Sequence, residues 1–234
     1  MPESPAGAAA TMLQLMWLAS PALPVGGFSY SEGFEAAVEA GLVRDEASAA
    51  AWIGNQMRLG PARADLAVLA QAHAAWGRHE LARITALNDF LLRTRETHEL
   101  RLQAGQMGRS LVEWLRNQRA AGDEARLAHL AALAPAPSWP VAFALATARA
   151  GATAAQALQS HLFGWAENMT QAALKAVPLG QLAGQRLLQA LAADMPGLVS
   201  DALELPETEW QSFSPMLAIA SAQHETQYSR LFRS

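Results

Sequence analysis

The sequence predicts an all-α fold, a single bundle of about eight to ten helices with short loops. Three observations carry this. Alanine and leucine, both strong helix formers, dominate the chain. Valine and isoleucine are too scattered to build alternating strands. Hydrophobic residues make up 51% of the 234 positions, enough for a sizeable core.

Taken in order, residues 1–10 read as a flexible N-terminal tail. A first helix is expected over Thr11–Ala19, with Leu13, Met16 and Trp17 on one side, and Ser20–Gly27 breaks it with two prolines and a glycine pair. The second helix is expected to open at Ser29, where Ser29-x-x-Glu32 fits a capping box, and to end at Gly41. Asp45 caps a third running to Leu59, Gly60-Pro61 stops it, and Pro61 suits the first position of a fourth. A long helical stretch follows over Arg78–Gln118, with a kink expected near Asn88 or Gly105. After a helix at Asp123–Ala134 comes the joint PAPSWP (Pro135–Pro140), which is short for a domain linker. Further helices are expected at Val141–Ala150, Thr153–Ala176, Leu179–Ala193 and Pro215–Tyr228, punctuated by Pro178, Pro196 and Pro206. Residues 11–227 thus form one domain, and residues 228–234 a C-terminal tail for partner docking.

Charge narrows the function classes. The net charge is −4, and of the 17 basic residues only Lys175 is a lysine, so the basic footprint of a nucleic-acid binder is absent. Charged residues are 16% of the chain, against roughly 25% in soluble domains, so apolar surface is expected to meet a partner. The chain has no cysteine, which removes disulfides, thiolate metal sites and cysteine nucleophiles together. Residues Ala8–Val25 are mostly apolar, but the first basic side chain is Arg44, against the positive start of a secretory signal. Gln14 and the prolines argue against a membrane span, so a cytoplasmic location is expected.

The catalytic patterns fail one by one. Gly27-Phe28-Ser29-Tyr30 is followed by Ser31 where a nucleophile elbow needs glycine, and no lysine stands near for a phosphate loop. The six histidines, His73, His79, His98, His129, His161 and His224, include no i, i+4 pair, and the zinc-protease spacing is missing. The densest charge lies in RTRETHELRLQAGQMGRS (Arg93–Ser110), where Arg95 and Glu99 are spaced as an i, i+4 pair. A solvated helix face is one reading, and an arginine offered to a phosphate-handling partner is the other. The C-terminal SAQHETQYSRLFRS combines Tyr228, Leu231 and Phe232 with Arg230 and Arg233, the residue types of interface hot spots. Such a tail docks on its own bundle or on a partner, and the composition favours the partner.

Four segments together resemble the urease accessory protein UreF family: LQLMWLASPALPVGGFSYSEGFEAAVEAGLV (Leu13–Val43), RETHELRLQAGQMGRSL (Arg95–Leu111), ALKAVPLGQLAGQRLL (Ala173–Leu188) and IASAQHETQYSRLFRS (Ile219–Ser234). The resemblance implies an all-α, non-catalytic and typically dimeric chaperone. With UreD (UreH in some organisms) and the GTPase UreG it serves nickel delivery to apo-urease, without a cofactor of its own. Carried onto this chain, it nominates Tyr228, Arg230, Leu231, Phe232 and Arg233 for partner binding, with Phe28 and Tyr30 on the same surface. Arg95, Arg101 and Arg109 become candidates for modulating GTP hydrolysis by UreG. A reading from another class is a helical small-molecule-binding enzyme of haem-oxygenase-like or thiaminase-like type, with His73, His161 and Glu167 as its nearest candidates.

Overall fold

A computed structural model describes residues 5–118 and 123–234. Among the described residues there are eleven α-helices, two short 3-10 turns and no strand, one helix above the expected range. The helices are α1 (Pro5–Ala19), α2 (Phe34–Glu39), α3 (Glu46–Leu59), α4 (Asp65–Gly77), α5 (Leu81–Thr94), α6 (His98–Asn117), α7 (Glu124–Ala132), α8 (Trp139–Arg149), α9 (Ala154–Ala176), α10 (Gln181–Glu204) and α11 (Pro215–Glu225).

The core is built around α4 and α8, which pack on each other. Residues Pro140–Thr147 of α8 are all buried, as are Asp65–Leu69, Ala72, Ala75 and Trp76 of α4. A helix apolar all round belongs in the interior, and these two supply it. The Trp76 indole N–H donates to the Val141 carbonyl at 3.1 Å, so the largest core side chain is also satisfied. Helices α6 and α9 cover α8 and α4, α10 lies along α9, and α1 rides on α9. The Ser160 hydroxyl fixes α1 by donating to the Leu15 carbonyl at 3.0 Å. The outer face of α1 stays bare, with Met12, Leu13, Met16 and Trp17 all exposed.

Several boundaries differ from expectation for physical reasons. Of the expected tail, residues 1–4 lie outside the described residues, while Pro5–Ala10 already belong to α1. Proline is tolerated at a first helical position, and the alanine run behind it favours helix. Asp45 does cap α3, accepting from the Ser48 amide at 2.8 Å, but Pro61 sits in a turn, and α4 starts only at Asp65. The long stretch breaks at Arg95–Thr97, not at Asn88 or Gly105. There the Thr97 hydroxyl accepts from the Leu100 amide and caps a new helix. Asn88 instead sits in an unbroken helix and stitches the α7–α8 joint, donating to the Ala136 carbonyl at 2.9 Å and accepting from the Ser138 amide at 2.6 Å. Helix α10 runs through Pro196 because its stripe of Leu187, Leu191, Met195, Val199 and Ala202 is buried on both sides of it. Burying each large side chain is worth about 1.5–3 kcal/mol, which offsets the roughly 3 kcal/mol that an interior proline costs.

Two predictions follow from this packing. A Cβ added at Gly108 would lie 2.0 Å from the Pro137 carbonyl oxygen, whereas one at Gly77 would meet nothing within 4 Å. Gly108→Ala should therefore lose about 1–3 kcal/mol in urea unfolding, and Gly77→Ala should be neutral or gain up to about 1 kcal/mol. The second concerns His161, which is buried against Trp139 and Phe143 with neither ring nitrogen partnered. Burial pushes its pKa down to about 4, while the unfolded imidazole titrates near about 6.5. The unfolded chain thus binds the extra proton first, so stability is retained above about pH 6.5 and falls as pH drops toward about 4. His161→Leu should remove on the order of 3 kcal/mol of that acid sensitivity, read as a flatter unfolding free energy between those pH values.

Candidate functional site

The Ser20–Glu35 segment is a corner, and its geometry comes from left-handed residues. Gly26 (φ 76°), Glu32 (φ 51°) and Gly33 (φ 73°) all have positive φ. A Cβ at Gly33 would lie 3.0 Å from the Ser221 amide nitrogen, so this glycine also admits α11. The predicted capping box does not form. Gly27–Ser29 is a 3-10 turn and α2 begins at Phe34. The turn at Glu32 and Gly33 aims the Glu32 side chain inward, where it accepts from the Trp165 indole at 2.9 Å and the Gln103 amide at 2.7 Å. Burial pushes the Glu32 carboxyl above the usual range, against the opposing pull of Trp165, Arg95 and Gln103.

The C-terminal segment lies across this corner. The Ser31 amide and hydroxyl both donate to the Ser234 backbone oxygen, at 2.7 and 2.6 Å, and the Arg233 amide donates to the Ser29 carbonyl at 2.8 Å. Buried Glu35 accepts the amide protons of Leu231 and Phe232 at 2.8 and 3.0 Å. On α6, buried Glu99 holds His224 through Nδ1 at 2.7 Å and accepts from the Arg230 guanidinium at 2.6 Å. His224 is wholly buried, and its Nε2 stands 3.4 Å from Glu35. The Thr97 cap shares a 2.7 Å hydrogen bond with Ser221, and Gln103 accepts from the Ser234 hydroxyl at 2.8 Å. One polar network thus ties the corner, the start of α6, helix α11 and the last residues of the chain. Its carboxylates are engaged by donors from the tail and from His224, which suits holding a segment in place rather than reacting with a substrate.

The tail therefore docks on its own bundle, where composition favoured a segment awaiting a partner. It carries two backbone N–H groups that Glu35 accepts and a phenyl ring that the bundle buries. The residues nominated from sequence divide accordingly. Phe28 is 54% exposed, Leu231 70%, and Tyr228 fully. Arg233 is exposed as well, beside the corner. Tyr30 and Phe232 are buried, against the expectation that they face outward. The Tyr30 hydroxyl donates to Gln106 and its carbonyl accepts from Asn168, so this ring supports the surface from beneath. Arg230 is spent on Glu99. The i, i+4 pairing of Arg95 with Glu99 does not occur, because Arg95 precedes α6 and its guanidinium reaches Asp65 at 2.7 Å. Arg101, whose Nε donates to the Leu92 carbonyl at 3.0 Å, and Arg109 are exposed on α6. Glu35, Glu99 and His224 were missed as tail-holding residues. The adjacent His98-Glu99 and His224-Glu225 pairs were the visible signal, but the partnership runs across them, from Glu99 to His224.

Beneath the corner lies a cavity of about 110 Å³ lined by Glu32, Asp65, Arg95, His161 and Trp165 among apolar side chains. His73 and Glu167 do not line it, so the three residues of the ligand-binding alternative are not brought together. Among the described residues no group of three or more histidines and carboxylates is arranged to hold a metal ion. Among the same residues no helix is long and apolar enough to cross a membrane.

Comparison with known proteins accounts for these segments together. The family model UreF matches residues 43–192. A urease accessory protein UreF of Methylibium petroleiphilum is 63% identical over 233 residues, covering 100% of this chain and 98% of that one. One of Paracidovorax citrulli is 63% identical over 227 residues, covering 97% and 90%. One of Polaromonas sp. is 58% identical over 237 residues, with both chains fully covered. The Methylibium and Polaromonas matches cover this whole chain and so take in the corner and the tail, which lie outside the span of the family model. An all-helical bundle whose N-terminal corner, central helix and C-terminus are knitted by one network, and which aligns end to end with such relatives, belongs to the UreF family of urease accessory proteins, non-catalytic factors in urease maturation.

Proposed function

We propose that this protein works in the cytoplasm as a scaffold in urease maturation. It joins UreD (UreH in some organisms) to the GTPase UreG, so that nickel, the cargo of the complex, reaches apo-urease. The observation that carries this reading is the surface formed by the corner and the docked tail. Phe28, Tyr228, Leu231 and Arg233 stand exposed there, while amide hydrogen bonds to Glu35 and a hydroxyl hydrogen bond from Ser31 hold the backbone behind them. Aromatic and arginine side chains on a preorganised backbone lose little entropy on binding, and they are the residues that dominate interface energies. The uncharged, exposed face of α1, with Met12, Leu13, Met16 and Trp17, supports a homodimer. No cofactor is assigned to the chain in this reading.

For UreG, the exposed Arg101 and Arg109 are the better candidates to influence GTP hydrolysis. Arg95 is tied to Asp65, and burial of both side chains makes separating them costly.

The double variant Tyr228→Ala/Arg233→Ala should keep its unfolding free energy within about 0.5 kcal/mol of the parent. It should lower recruitment of UreG to the UreD complex by at least about tenfold in co-purification. Recruitment and urease activation equal to the parent would remove the tail surface from the interface. UreG hydrolysis rates measured with the parent protein, Arg101→Ala and Arg109→Ala test the second element. At least one variant should change the rate by about tenfold or more, and identical rates would end the arginine assignment. Arg95→Ala should instead lower the melting temperature.

A further inference from the structure

Lys175 is the one lysine in a chain with 17 basic residues. It stands in the last turn of α9, where the helix dipole favours a positive charge. Its Nζ lies 5.7 Å from the centroid of the Phe28 ring and 5.6 Å from that of Phe232. Both distances are within the roughly 6 Å over which a ring face attracts a cation. The two rings come from opposite ends of the sequence, one on the corner and one in the tail. Phe232 is buried and Phe28 half exposed, so the ammonium bridges an inner ring to an outer one.

We propose that Lys175 is the positioning residue that holds the C-terminal segment shut against the corner, its ammonium clamped between Phe28 and Phe232. The hydrogen bonds from Leu231 and Phe232 to Glu35 fix the path of the tail backbone. They do not by themselves fix the Phe232 ring against the corner, and Lys175 does that from a third element, α9. In this arrangement the charge, not the length of the side chain, is the operative property. Loss of the charge loosens the tail and leaves the α4–α8 core intact, because neither ring belongs to that core. The clamp also sets how Leu231 and Arg233 are presented to a partner, a consequence that rests on the scaffold reading above, as the clamp itself does not.

Amide hydrogen exchange on the full chain tests this without any partner. In Lys175→Met the amides of Leu231, Phe232 and Arg233 should exchange about five- to thirtyfold faster than in the parent, as the loss of two cation–ring contacts implies. Amides of α4 and α8 should be unchanged, and Lys175→Arg, which keeps the charge, should restore most of the protection. Unchanged tail exchange in Lys175→Met overturns the clamp. So does acceleration of the tail and the α8 core by the same factor, and so does Lys175→Arg exchanging as fast as Lys175→Met. UreG recruitment measured on the same variants separates the two readings. Lys175→Met with a loosened tail and parental recruitment supports the clamp while overturning its part in presenting the tail.

Discussion

Two carboxylates buried near the protein surface, those of Glu35 and Glu99, dictate how the corner and the C-terminal segment of this molecule are built. A buried carboxylate is costly unless donors surround it, and neither residue finds enough of them on its own helix. Glu35 obtains two from the backbone of Leu231 and Phe232. Glu99 obtains His224 and Arg230. The residues that satisfy α2 and α6 thus all come from the last turn of α11 and the segment after it. Fold and tail are one structure for this reason, and because the members share partners, loosening one exposes the next.

Outside the apolar core, several charged side chains turn inward and several large apolar ones face out. Charged groups such as Glu32, Arg95 and Asp65 are turned inward and paired, while Met12, Met16, Phe28, Tyr228 and Leu231 face outward. With charged residues at only 16% of the chain, inward use of several leaves fewer to cover the outside. A protein that works within an assembly can accept that distribution, since its apolar surface is covered once partners bind. The α4–α8 core makes the arrangement rigid enough to matter. Helices α6 and α9 rest on it, and they carry Glu99, Gln103, Trp165 and Lys175 to the corner and the tail.

Much of the fold was legible because it rests on local rules. The Asp45 cap, the stop at Gly60 and the left-handed Gly41 all follow from neighbours within a few residues. Elements failed where a distant partner outbid a local preference. Ser29 and Glu32 match a capping box, yet the Ser29 amide donates to the Gly26 carbonyl and the Glu32 carboxylate accepts instead from Trp165 and Gln103, residues far along the chain. Arg95 and Glu99 match a helical ion pair, yet Thr97 ends the register and each finds a partner elsewhere. The kink expected near Asn88 or Gly105 does not form; the Asn88 side chain instead makes two buried hydrogen bonds to the α7–α8 joint.

The sequence by itself determined the helical class, most helix positions, the absence of common catalytic constellations and the four segments that mark the family. These depend on composition, spacing and local capping, which a linear chain displays directly. Only the tertiary structure decided that the tail lies docked, that Tyr30 and Phe232 are inside while Phe28 and Tyr228 are outside, and that Glu35, Glu99 and His224 do the holding. Those outcomes turn on which buried carboxylate meets which donor across up to two hundred residues of chain, and nothing in local spacing encodes that encounter.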